Sequence, residues 1–344
     1  MADESDPVER GATDSADLYD IATWEQRSWL DRLSIGVYRG VRRLARAIVI
    51  LLALIILVAQ VALTGLAAVS DPVIGAFVLL SVVPAFALAA YIWYADVTTS
   101  EPLTLLVGTF LLGVLFAGFA GVLNTLAGAI TAIPVVGMAL FFYLVVGPVE
   151  ETVKWLAVRL YAFRSDRFDA VIDGAVYGAM AGLGFATIEN AIYITQSIEQ
   201  VSSVGAQRIA TAGQTAAVRL LAGPGHVIYS AFAGYYLGLA KFNRERAGPI
   251  VVKGLLIASF IHATYNTLVT YLTDILAYLD VAIGPGAAFL GFVVAYDSLF
   301  GYLLYRKIAR YRTVYKQVNM GRDVSFASGD TEADSVEGES SERE

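Results

Sequence analysis

Three glutamates, two histidines, a lysine and two asparagines interrupt segments of this sequence that are otherwise almost wholly apolar, and their spacing fits the activation of a water molecule. Glu150 and Glu151 are adjacent in VVGPVEETVKWLAV, and Lys154 follows them by four and three residues. Both spacings place the lysine on the same helical side as a glutamate. One carboxylate can be neutralised in this way, which leaves the other for work as a general base or a metal ligand. Glu189 and Asn190 close the run GLGFATIEN, and His226 follows a Gly223-Pro224-Gly225 break. His262 and Asn266 are four apart in HATYN and so share one helical face.

The residues that are scarce narrow the chemistry further. The chain has no cysteine and only two histidines. That excludes disulfides, cysteine-ligated zinc, a cysteine nucleophile and a three-histidine metal site. Each polar residue alone has an ordinary explanation. Glu150, Glu151 and Lys154 could be a solvated helix end at a membrane interface, Glu189 a protonated structural acid, and each histidine a packed core residue. Their joint placement on four successive apolar segments is what points to a site.

The elements that must carry these residues are transmembrane helices. Of 344 residues 57% are hydrophobic and 16% charged, against about 25% charged in a soluble domain. Eight segments are long and apolar enough to span a bilayer, roughly 47–69, 73–95, 103–123, 133–158, 171–195, 218–240, 250–272 and 284–305. Lys and Arg number 19 in the loops on the side of the N-terminus, against two (Arg208 and Arg219) on the other side. The positive-inside rule then puts both termini in the cytoplasm. The expected fold is an all-α polytopic membrane helical bundle of about eight helices in the cell membrane. Its parts are a cytoplasmic acidic tail with a basic flank (1–46), a transmembrane domain (47–305, motif-bearing helices within 133–272) and a basic flank with an acidic, disordered tail (306–344). The tails carry 17 of the 31 acids, so the net charge of −7 belongs mostly to them. It also argues against a nucleic-acid partner. Residues 20–46 read as a topology-fixing positive flank rather than a surface-bound amphipathic helix. No signal peptide precedes the first span, and Gly174, Gly178, Gly182 and Gly184 form a small-residue pattern for close helix packing.

The ordered set EETVK (150–154), FATIE (185–189), PGH (224–226) and HATYN (262–266) resembles the PrsW family of intramembrane proteases, a branch of the superfamily that includes the CAAX-prenyl endoproteases. The resemblance covers about residues 140–270. It implies hydrolysis of a peptide bond in a membrane-anchored protein; family members cleave anti-sigma factors. The resemblance also implies metalloprotease-like or glutamate-type chemistry, with catalytic residues Glu150, Glu151, Glu189, His226, His262 and Asn266. In a zinc scheme Glu189, His226 and His262 hold the metal and Glu150 or Glu151 is the base. In a metal-free scheme Glu150 is the base, Glu189 or His226 positions the water, and His262 with Asn266 stabilises the oxyanion.

The expected partners are therefore a membrane-anchored protein substrate and the lipid bilayer. The competing readings are a proton- or ion-coupled transporter and a catalytically silent scaffold. The predicted depths pose a problem, because Glu150 lies about two turns and Glu189 about four turns from the cytoplasmic ends of their helices. Unwinding at Gly147-Pro148 or Gly223-Pro224-Gly225 would bring them together.

Overall fold

The computed structural model describes residues 17–19, 23–60, 62, 71–201 and 205–337. Among the described residues eight helices follow one another: α1 (Trp29–Gln60), α2 (Pro72–Tyr94), α3 (Leu103–Leu126), α4 (137–160), α5 (Val171–Glu199), α6 (Ala206–Lys241), α7 (Ala247–Tyr278) and α8 (Pro285–Glu337). No strand occurs among the described residues, so the all-α expectation holds. Among the described residues five segments are long and apolar enough to cross a membrane: α2, α3, α5, Arg244–Tyr278 and Pro285–Val318. Residues 61 and 63–69 of the expected first span, and most of the acidic N-terminal tail, lie outside the described residues.

Local signals set the helix boundaries. The Asp71 carboxylate accepts the Val73 N–H at 3.0 Å, and Pro72 occupies the first turn, where its missing N–H costs nothing. At the start of α5, Asp173 accepts the Asp169 and Ala170 N–H groups at 2.7 and 2.8 Å. Helix α8 extends to Glu337, and residues 338–344 of the acidic tail lie outside the described residues. Extending a formed helix costs much less than nucleating one, so the polar sequence continues the helix it follows.

The chain divides into two compact units, residues 1–55 and 56–344. In the first, Asp31 accepts hydrogen bonds from the Ser28 N–H at 2.6 Å and hydroxyl at 2.7 Å, fixing the start of α1. The second is organised around α5, whose most apolar stretch is 83% buried, against 11–33% for the other four candidate spans. Glycine makes this enclosure possible. A Cβ built on Gly174, Gly178 or Gly182 would lie 2.1–2.4 Å from the carbonyl oxygens of Gly234, Ser230 and His226 on α6. On the opposite face, one at Gly184 would lie 2.1 Å from the Phe110 oxygen on α3. Close backbone approach of this kind drives helix association where lipid removes the hydrophobic driving force. We expect Gly178→Ala to destabilise the protein by about 1–3 kcal/mol. Gly291→Ala, where a Cβ meets nothing within 4 Å, should be neutral or slightly stabilising; thermal unfolding in detergent compares the two.

Candidate active site

The helix that carries Glu150 is not regular. Residues Phe142–Val146 form a π-helical turn between Gly137–Phe141 and Gly147–Leu160. Pro148 has no N–H to donate, which loosens the turn before it, and π-turns inside α-helices recur at functional sites. Gly147 lets α4 rest on α7, since a Cβ there would lie 2.7 Å from the Ser259 oxygen. The second expected unwinding does not occur: α6 continues through Pro224.

Four helices bring their polar residues together. Short connections make α4 and α6 run opposite to α5 and α7. Side chains lean toward the N-terminus of their helix, so Glu150 and His226 lean one way along the bundle, and Glu189 and His262 the other. This lean, with the length of the side chains, narrows the depth gap expected from the sequence.

Glu151 is the buried anchor, with no solvent exposure. Its Oε1 accepts from Lys154 Nζ at 2.7 Å and lies 2.9 Å from His262 Nδ1, and its Oε2 accepts from the Ser230 hydroxyl at 3.3 Å. Lys154 Nζ also lies 2.9 Å from His226 Nδ1 and sits 4.2 Å over the Phe185 ring. His226 Nε2 lies 2.9 Å from Glu189 Oε2, which Arg219 also engages. An ammonium group can only donate, so His226 accepts at Nδ1 and carries its proton on Nε2. An ionised Glu151 likewise fixes the His262 proton on Nδ1 and leaves the Nε2 lone pair free.

Glu150 differs from its neighbour. Its Oε1 accepts from Asn124 Nδ2 at 3.1 Å, while its Oε2 is buried with no hydrogen-bond partner among the described residues. That oxygen lies 3.8 Å from His262 Nε2 and 3.9 Å from Lys154 Nζ. Two acceptors therefore face each other across a gap that calls for a water or a cation. Glu150, Glu189, His226, His262 and Asn266 all line one cavity of about 590 Å³, together with Arg219 and Tyr229.

The ligand atoms of Glu150, His226 and His262 all lie within 4.8 Å of one another. Glu189, expected as the third ligand of a zinc set, is outside this group, because Arg219 and His226 engage its carboxylate. Arg219, counted from sequence as a charge at the membrane edge, lies inside α6 and donates to Glu189 and, through Nε at 2.8 Å, to Asn190. Its place seven residues before His226, on the same helical face, is the signal that marks it. Asn124 and Tyr229, the latter stacked on His262 with ring centroids 5.2 Å apart, carry no comparable signal.

A membrane-embedded helical bundle whose glutamates and histidines converge on one cavity fits the class of intramembrane hydrolases. Residues 101–298 match the PrsW family of intramembrane metalloproteases, and the chain belongs to that family. Its relatives include Protease PrsW of Geobacillus kaustophilus, 32% identical over 54% of this chain and 76% of the relative. Those of Bacillus subtilis and Halalkalibacterium halodurans are 28% and 30% identical, over 59% and 55% of this chain and 87% and 80% of the relative. No solved structure matches the chain. The protein is thus a multi-pass integral membrane protease, and the transporter and silent-scaffold readings fall.

Proposed function

We propose that this protease hydrolyses a peptide bond of a membrane-anchored protein with a water held between Glu150 Oε2 and His262 Nε2. The observation that carries the proposal is the pair of buried acceptors, 3.8 Å apart, with no donor assigned to the Glu150 oxygen. Glu150 Oε2 takes the proton of the attacking water and returns it to the leaving amine. Asn124 orients Glu150 through Oε1. Glu151 is a positioning residue that holds the His262 tautomer. Asn266, one turn beyond His262, supplies an amide to the oxyanion.

The residues fit a metal as well. Two imidazoles and a carboxylate with an orphaned oxygen form a zinc-type donor set. Zn²⁺ held by Glu150, His226 and His262 would polarise the peptide carbonyl and acidify its own water. Such binding requires a lone pair on His226 Nε2, whereas the Lys154 contact puts the proton there. That contact favours the metal-free scheme and leaves the zinc scheme as the second reading. Elemental analysis separates the two. Metal binding predicts about one zinc per chain in the wild type and near none in His226→Ala, while zero in both points to the metal-free scheme.

Both termini face the cytoplasm of the cell membrane in this reading, and the substrate class is a single-pass regulatory protein of the anti-sigma-factor type. The test is cleavage of such a substrate by purified wild type in liposomes supplied with zinc, with the new termini mapped by mass spectrometry. Termini within or beside the membrane segment are expected. Intact substrate across a panel of single-pass proteins would contradict the proposal.

A further inference from the structure

A second group of acids lies apart from the histidines, where the connection between α2 and α3 meets the start of α5. Oxygen atoms of Asp96, Glu101 and Asp173 come within 4.8 Å of one another. The available donors serve only two of them. The Thr98 N–H and hydroxyl donate to Asp96 Oδ1 at 2.8 and 2.7 Å, the same hydroxyl reaches Asp173 Oδ1 at 3.4 Å, and Asp173 Oδ2 caps α5. Glu101 is only 5% exposed, and neither of its carboxylate oxygens has a hydrogen-bond partner among the described residues. Asp96 Oδ2 is also buried and unpartnered. An independent feature sits beside them. Tyr177, one turn beyond Asp173, is fully buried with an unpartnered hydroxyl, and it lies in the field of Glu101, Asp173, Asp169 and Asp96.

We infer that Asp96, Glu101 and Asp173 form a structural site for a hard divalent cation, Ca²⁺, which ties the α2–α3 connection to the helix that carries Glu189. All the donors are oxygens, which suits calcium and not the softer metals served by imidazole. Ca²⁺ accepts irregular geometry and variable coordination number, whereas Mg²⁺ demands near-octahedral coordination and keeps its waters, so an unsymmetrical set of carboxylate oxygens favours Ca²⁺. Crowding three carboxylates together, Glu101 and Asp173 of them buried, is expensive, and a divalent ion removes that cost. Without it, Glu101 is pushed up to about 9 by burial and by the neighbouring Asp96, so a proton shared with Asp96 is the competing occupant. The other charged or titratable groups near the cluster are Asp169, Lys241 and Tyr311.

Calcium binding to the full-length protein in detergent, freed of metal by chelator, tests this directly. Equilibrium dialysis with radioactive calcium should find saturable binding that Glu101→Gln and Asp96→Asn each weaken at least tenfold. His226→Ala, at the other site, should leave it unchanged. Calcium should raise the unfolding temperature of the wild type and not that of Glu101→Gln, while magnesium at the same concentration does much less. Two outcomes would overturn the inference. One is no saturable calcium binding by folded wild type. The other is the proton-sharing signature, in which stability is full below the ordinary glutamate range, falls as pH rises toward 9, and is indifferent to calcium.

Discussion

Glu150→Gln is expected to slow substrate cleavage by about 10²–10⁴-fold, the usual contribution of a positioned general base, while leaving the fold intact. Glutamine keeps the volume and can still accept from Asn124, which bonds Glu150 Oε1 at 3.1 Å. What it loses is a basic oxygen at the position of Oε2, opposite His262 Nε2. Because Oε2 has no partner to lose, the unfolding temperature in detergent should stay close to wild type. Initial cleavage rates and thermal unfolding on the same preparations check both parts. Cleavage at more than a tenth of the wild-type rate would remove Glu150 from the role of base.

Lys154→Ala should act in the opposite way, on stability first. The lysine is the buried cation that neutralises Glu151 and bonds His226. Removing one partner of a buried pair costs about 3–5 kcal/mol, because the other charge stays buried and alone. Loss of fold therefore explains loss of activity here. Adding Glu151→Gln to Lys154→Ala removes the stranded charge and should recover much of the stability without recovering cleavage, since the His262 proton is no longer fixed. Thermal unfolding of the single and double variants reads this out. Wild-type stability in Lys154→Ala would show that Glu151 is not an ionised anchor.

The polar residues of the site were legible in the sequence because the bilayer makes them conspicuous. Charge is costly there, so Glu150, Glu151, Glu189, His226 and His262 stand out, and all five lie in one connected network. Eight apolar segments likewise announce eight helices, and the glycines of α5 announce its close approach to α6. Roles within the network were much less visible. Spacing makes Glu150 and Glu151 equivalent partners of Lys154, and only the three-dimensional environment gives Glu151 the lysine and leaves Glu150 Oε2 bare. Arg219 was misread because hydropathy starts the sixth span near residue 218, whereas α6 begins at Ala206. The acids at the α2–α3 connection gave no signal at all, since Asp96 and Glu101 lie some 70 residues from Asp173.

Hydrolysis by a Glu150-activated water is tested most directly by cleavage of a single-pass substrate in liposomes made in ¹⁸O-labelled water. The wild type should release a fragment whose new C-terminal carboxylate carries solvent ¹⁸O, and Glu150→Gln, folded to the same unfolding temperature, should release almost none. Labelled fragment produced by Glu150→Gln at the wild-type rate, or wild-type fragment without the label, would contradict the account.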